Sequence, residues 1–235
     1  MRDLNKLYNE DCLKGLKELP DESIDLVVTD CPYHIVRCGT SCGGGVFDVT
    51  RNKEVTTGKL FENNDIAFSE WLPEIYRVLK KGTHCYIMIN SRNIKDLQTA
   101  AEKVGFEFQN LLVWNKKNAT PNKYYMQCLE FILLLSKRPA RNINDMGNTN
   151  LLTVPNIIGN KRHPTEKPVS LMEYMIRQSS NEGDVVLDPF AGSGSTLVAA
   201  KRAKRKFIGW EIDPKFYSVA DSRLNREPQE QMLFY

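Results

Sequence analysis

Short apolar runs alternate with amphipathic stretches along almost the whole 235-residue chain, and an acid stands just past the end of four of those runs. Residues 24–29 (IDLVVT), 85–89 (CYIMI), 111–114, 131–135, 185–187 and 207–210 are short and mostly apolar, which predicts buried strands, with Lys6–Tyr8 as a shorter one. Between them Phe68, Trp71, Leu72, Ile75, Tyr76 and Leu79 recur at helical spacing, as do Leu171, Tyr174 and Met175 after Pro168. Such alternation predicts an α/β fold whose mostly parallel sheet is covered by helices on both faces. The stretch 111–135 holds two strands and no helix, as an antiparallel pair at a sheet edge would; seven strands are expected in all.

The four acids are Asp11, Asp30, Asp188 and Glu211. In open α/β sheets the carboxyl ends of the strands form the ligand-binding edge, so acids scattered in sequence are expected to gather there in space. Turns favour Asp for local reasons, which accounts for one or two such placements but poorly for four.

Length fits one domain over residues 1–235 with an elaborated insertion, large enough to bury a core without staples. A net charge of +3 does not by itself announce a nucleic-acid partner. Six cysteines without framework spacing, an amino terminus without an apolar signal core and no bilayer-length apolar run together predict a reduced, cytoplasmic protein and no membrane partner.

Two segments carry the chemistry. In residues 187–196 (LDPFAGSGST) an apolar strand ends in Asp188, Pro189, Phe190, Ala191, Gly192, Ser193 and Gly194, and a helix is expected to begin near Ser195 and Thr196. Glycines let backbone approach a ligand, and the following helix end offers amides to an anion. Glu211 closes the next strand, where an acid can bond ribose hydroxyls, and Ile212 beside it can lie against a nucleobase. The dinucleotide pattern is broken because Leu197 occupies its third glycine position, and no lysine follows the glycines as a phosphate loop requires.

Residues 29–35 (TDCPYHI) place an acid, a rigidly presented carbonyl and an aromatic ring in succession. An exocyclic amine is a poor nucleophile because its lone pair is drawn into the ring. Acceptors for both amine hydrogens, here the Asp30 carboxylate and the Cys31 carbonyl held by Pro32, favour a more tetrahedral nitrogen and stabilise charge as a methyl group arrives. Tyr33 offers a ring for stacking an extruded base. A nucleophilic role for Cys31 is disfavoured, because ring-attacking cytosine enzymes use a Pro-Cys order and this chain has Cys-Pro.

Together the two segments resemble the S-adenosylmethionine-dependent DNA amino-methyltransferases, which act on adenine N6 or cytosine N4. The active-site segment precedes the cofactor segment, the permuted β-class order, and the resemblance runs from about residue 5 to about residue 226. It implies a Rossmann-like methyltransferase fold, S-adenosyl-L-methionine as cofactor, and transfer of its methyl group to a flipped base in double-stranded DNA. It further implies that a branched side chain at Gly194 would enter the space the methionine needs. Residues 163–168 (HPTEKP) are similar to an element that closes over the methionine end, which makes Thr165 and Lys167 cofactor candidates; Thr165 is equally suited to capping the helix after Pro168. Asp11 matches the acid directed at the cofactor's adenine amine, or else caps the helix over residues 12–19. The family's commoner motif has proline at the Cys31 position, a tolerable change where only the main-chain carbonyl is used. Asp30, where cytosine-N4 enzymes more often carry Ser, tilts the expectation to adenine; cytosine N4, an RNA base or protein glutamine, and a non-catalytic DNA- or cofactor-binding protein stay open. The resemblance leaves a homodimer and a cognate restriction endonuclease as open partners.

The long polar stretch 36–65 reads as a mobile flap over the substrate or an idle insertion, and 141–162 as a short target-recognition region. Lys116, Lys117, Lys123, Arg141, Lys161 and Arg162 are DNA-contact candidates, whereas Lys201, Arg202, Lys204, Arg205 and Lys206 read as a solvated face at the opposite sheet edge. His34, Cys38 and Cys42 lack the paired spacing of a zinc site, so no metal is expected.

Overall fold

The computed structural model describes residues 2–32, 66–120, 124–159, 161–163 and 165–226. The elements run β1 (Lys6–Tyr8), α1 (Cys12–Lys17), β2 (Ile24–Asp30), α2 (Phe68–Val78), β3 (Leu79–Ile89), α3 (Ile94–Val104), β4 (Glu107–Thr120), β5 (Gln127–Ser136), β6 (Leu151–Thr153), α4 (Val169–Ser179), β7 (Val185–Asp188), α5 (Ser195–Arg202), β8 (Lys206–Trp210) and α6 (Pro214–Arg226). They form one eight-stranded sheet in the order β1-β8-β7-β2-β3-β5-β4-β6. Strands β1, β8, β7, β2 and β3 are mutually parallel, and β5 is antiparallel to both β3 and β4.

Burial of both sheet faces explains the mostly apolar runs. Leu26 and Val28 of β2, with Tyr86 and Met88 of β3, pack beneath α4 and α5 on one face. Val27 of β2, with Cys85, Ile87 and Ile89 of β3, packs beneath α1, α2 and α3 on the other. Successive residues thus enter opposite cores, the period-two consequence of strand geometry. Trp71, Leu72, Ile75 and Val78 form the buried stripe of α2, and Glu70 reaches back to accept from the Ala67 amide at 2.6 Å, closing the helix's first turn. Among the described residues no helix is long and apolar enough to cross a membrane.

The structure departs from the expected sheet in two respects. An eighth strand, β6, pairs in parallel with β4, so the antiparallel pair lies one strand in from the edge. That pair is also far longer than its apolar runs, because β4 continues through the polar residues 115–120 while its partner β5 begins at Gln127. Since β3 and β4 both finish at the carboxyl edge, this extension projects on the side where β2 and β7 end.

The chain leaves β2 for β3 on one side, while β7 pairs β2 on the other. That crevice is a topological switch point, the place where such sheets bind ligands.

Candidate active site

A cavity of about 500 Å³ opens at the switch point, and Asp11, Asp30, Asp188 and Glu211 all line it. Its volume suits a nucleoside-sized ligand. From the cofactor turn, Pro189, Phe190, Ala191, Gly192, Ser193, Ser195 and Thr196 are in the wall, with Ile212 beside Glu211 and Thr165 and Lys167 opposite. Cys31 and Pro32 complete the end next to Asp30. Tyr33, residues 36–65 and Lys123 lie outside the described residues.

The turn is held by its own first acid. Asp188 Oδ1 accepts from Thr29 Oγ1 at 2.8 Å and from the Phe190 amide at 3.1 Å, and Thr196 also bonds the carboxylate. Burial, only partly offset by these donors, pushes the Asp188 carboxyl up to about 6. Gly192, at φ 53°, donates its amide to Glu211 Oε2 at 2.8 Å, while the Asp213 amide donates to Glu211 Oε1 at 2.8 Å. Burial raises the Glu211 carboxyl despite these amides. The Ile212 amide bonds the same carboxylate, which still keeps acceptor capacity for a hydroxyl.

The two glycines play different parts. A Cβ on Gly192 would meet nothing nearer than His163 Nε2 at 3.9 Å, which makes this residue the open floor of the cradle. Gly194, at φ 80°, is not in the cavity wall, and a Cβ there would sit 3.0 Å from Ala220 Cβ of α6. A Cβ at Gly194 meets α6 first. That position needs glycine for its left-handed backbone and its contact with α6.

Asp11 takes the capping part expected of it and also lies in the cavity wall. It caps α1 by accepting the Leu13 amide at 2.8 Å, and it faces the cavity. Thr165 does not cap α4, whose first boundary residue is Pro168 with no side-chain cap. Instead its amide donates to His163 Nδ1 at 3.2 Å, and its hydroxyl lies 3.0 Å from the same nitrogen. An accepting Nδ1 leaves the ring proton on Nε2, the atom facing Gly192. Burial and then Lys167 push the His163 imidazole down to about 4, so the ring is neutral near pH 7.

Lys167 sits against Asp30, with Nζ 2.5 Å from Oδ2, at the end of the cavity where Cys31 and Pro32 lie. Burial raises the Asp30 carboxyl, and Lys167 pulls it back only in part. Cys31 is a backbone position: its thiol is buried, donates towards the Met88 carbonyl at 3.5 Å, and is held well above its usual range by burial and then by Asp30. A thiol so far from ionisation is a poor nucleophile.

Sequence reasoning missed the clamp behind the turn. Buried Arg223 of α6 donates to the Ser193 carbonyl at 2.6 Å and lies 3.2 Å from buried Glu166, which also accepts the Arg162 amide at 2.6 Å. Ser195 Oγ donates to the Lys167 carbonyl at 2.8 Å, which ties the segment before α4 to the amino end of α5. Only the amphipathic pattern of α6 hinted at this role. Arg205 corrects another expectation: it is not part of a solvated face but buried, donating to the Ser180 and Ala203 carbonyls at 2.5 Å each. Residues 141–144 are pinned to the carboxyl end of α4, with Arg141 donating to the Ser179 carbonyl at 2.6 Å and Asn144 to the Arg177 carbonyl at 2.7 Å. That end of α4 is remote from the cavity, and the chain regains the cavity side only after β6.

An acid-lined switch point, a glycine turn opening on a helix and a second acid-and-proline end define an α/β, Rossmann-like nucleoside-cofactor site of the methyltransferase kind. Residues 24–222 match the DNA methylase family of the N6/N4 type, and the chain belongs to that family of S-adenosylmethionine-dependent DNA methyltransferases. It is 32% identical over 240 residues to the type II methyltransferase M2.DpnII of Streptococcus pneumoniae, covering 94% of this chain and 90% of that one. It is 32% identical over 248 residues to the type II methyltransferase M.HpaI of Haemophilus parainfluenzae, covering 94% and 74%. Among solved structures, the M1.HpyAVI–SAM complex superposes with a TM-score of 0.70 at 26% identity, covering 93% of this chain and 98% of that one. The cytosine-N4-specific PvuII DNA methyltransferase shares the fold with a TM-score of 0.71 at 21% identity, covering 95% and 88%.

Proposed function

We propose that this DNA methyltransferase modifies adenine N6 in double-stranded DNA, with Asp30, the Cys31 carbonyl, Pro32 and Tyr33 receiving a flipped base. The observation that carries the reading is the Asp30 carboxylate at one end of the cavity whose other end is the glycine turn. S-adenosylmethionine, when bound, supplies an electrophilic methyl carbon. Glu211 accepts the ribose hydroxyls, Asp11 the adenine amine, and Ile212 flanks the adenine. Gly192 and Ser193 give the methionine end room, and the first turn of α5 at Ser195 and Thr196 receives its carboxylate. Asp188, in the cavity wall, braces the turn that receives the cofactor, Gly194 gives that turn its left-handed bend, and Thr165 fixes the neutral His163 over the site.

At the other end Asp30 accepts one amine hydrogen and the Cys31 carbonyl the second. Together they draw the nitrogen lone pair towards the incoming methyl and stabilise the positive charge that develops. Tyr33 stacks on the base, which has to leave the duplex to reach this depth. Within residues 141–162, the described residues 154–159 and 161–162, on the cavity side, take the larger part in target recognition, together with residues 36–65. A homodimer extends a recognition surface this short, and a cognate restriction endonuclease is proposed because M2.DpnII and M.HpaI are named type II methyltransferases.

Nucleoside mass spectrometry of DNA methylated with labelled cofactor tests the base. N6-methyladenine with little N4-methylcytosine supports the reading. Label confined to cytosine would show that pocket shape, not the Asp30 charge, selects the base.

A further inference from the structure

Asp30 shares its ammonium partner with a second acid. Lys167 Nζ lies 2.5 Å from Asp30 Oδ2 and 3.6 Å from Glu130 Oε2, while the other Glu130 oxygen, Oε1, lies 3.2 Å from Lys116 Nζ. Glu130 stands on β5 one residue beyond the pairing of Phe131 with Ile89, where the hairpin passes the end of β3. It is partly buried where β5 emerges from the core, between exposed Leu129 and half-buried Phe131, and its two oxygens face two different lysines. Burial opposes ionisation of Glu130, yet Lys167 and Lys116 hold its carboxyl below the usual carboxylate range. The same carboxylate pushes Asp30 up, against Lys167.

This arrangement bears on the amine-binding role proposed for Asp30. A carboxylate oxygen that holds an ammonium at 2.5 Å is engaged in a charge-assisted bond. A neutral aromatic amine is a weak donor, and Lys167 is buried, so displacing its ammonium from Asp30 calls for another carboxylate close by to receive the charge. With Glu130 adjacent, a small rotation of the lysine side chain exchanges one carboxylate for another.

We propose that Glu130 is a positioning residue for methyl transfer: it is the second seat of the Lys167 ammonium, which turns towards it when the target amine takes Asp30 Oδ2. Lys116 moderates the exchange by neutralising the far side of Glu130. The inference rests on Asp30 being the amine acceptor and adds the group that frees it. The charges facing Asp30 are Lys167 ahead of α4, Glu130 on β5, Asp188 on β7 and, through Glu130, Lys116 on β4 and Lys161.

These charges give a pattern of signs. In Glu130→Gln the competing carboxylate charge on Lys167 is gone, so the Asp30 carboxyl becomes more acidic while its oxygen is less readily released. In Lys116→Gln the Glu130 charge is unopposed, so Asp30 becomes less acidic. A carbon-13 NMR titration of the Asp30 carboxyl, assigned with Asp30→Asn, reads this directly in the full chain without DNA or cofactor. Glu130→Gln should lower the midpoint by about 0.5–1 unit and Lys116→Gln should raise it. Single-turnover methyl transfer by Glu130→Gln should fall about tenfold, with its acid limb displaced to lower pH. An unchanged or raised midpoint in Glu130→Gln, or an unmoved midpoint in Lys116→Gln, overturns the proposal. Because the titration involves neither substrate, a cytosine product would overturn the base assignment alone and leave this inference standing.

Discussion

Gly194 provides the sharpest test of how the glycine turn is built. Replacing it with Ala forces a side chain onto a backbone at φ 80° and puts a methyl carbon 3.0 Å from Ala220 Cβ and 3.4 Å from its Cα. The left-handed backbone costs roughly 1–2 kcal/mol for a non-glycine residue. Carbon atoms prefer to sit about 3.5–4.0 Å apart, so α6 has to give by several tenths of an ångström. Overpacking of that kind costs about 1–3 kcal/mol. The sum, roughly 2–5 kcal/mol, corresponds in a chain of this size to a fall in Tm of about 4–20 °C. The cavity itself is untouched, so S-adenosylmethionine affinity of the folded variant should stay within about threefold of the parent, well under 1.4 kcal/mol. Thermal denaturation and titration calorimetry at low temperature read the two effects separately. A Gly194→Ala protein as stable as the parent but unable to bind the cofactor would refute the reasoning, since it would place the side chain in the ligand's space.

Three further outcomes follow from buried groups. Cys31→Ser keeps a donor for the Met88 carbonyl and the same main chain, so it should retain most methyl transfer and form no covalent adduct with a mechanism-based cytosine analogue; a trapped adduct in the parent would restore the nucleophile reading. Arg223→Met strips buried Glu166 of its buried partner and should cost about 3–5 kcal/mol in denaturant unfolding, whereas a cost below about 1 kcal/mol would mean that the clamp is idle. The Asp188 carboxyl, raised from an ordinary 3.8 to about 6, binds its proton more tightly in the folded chain, so its contribution is fully present below about pH 4 and is lost as pH rises through about 6. Asp188→Asn should remove roughly 3 kcal/mol of that pH dependence between pH 4 and 7, and an unchanged slope of stability against pH would contradict the assignment.

What could be read from the residues depended on how each one was buried. Strands β2 and β3 were legible because helices cover both of their faces, leaving apolar residues side by side in 26–28 and 85–89. The outer part of β4 was not, because beyond Trp114 it carries Asn and Lys residues that pair with β5 without a core to match. Strand β6, three residues with one buried leucine, gives almost no periodic signal. In the site, Asp30 and Asp188 stood out by following strands directly. Glu130 was hidden at the head of an apolar run, and its partner Lys167 was assigned to the cofactor because nothing local ties it to Asp30, 137 positions away. Arg205 read as an ordinary helix-end cation, and nothing around Arg223 in the sequence shows the buried carbonyl it bonds.

The central claim is that one cavity has two separable ends, one for the cofactor and one for the base. Titration calorimetry of S-adenosylmethionine with Asp30→Ala, beside a single-turnover methylation assay on the same preparation, addresses it most directly. Cofactor affinity should stay close to that of the parent, with no measurable methyl transfer. Loss of cofactor binding in a folded Asp30→Ala protein, or methyl transfer near the parental rate, would contradict the claim.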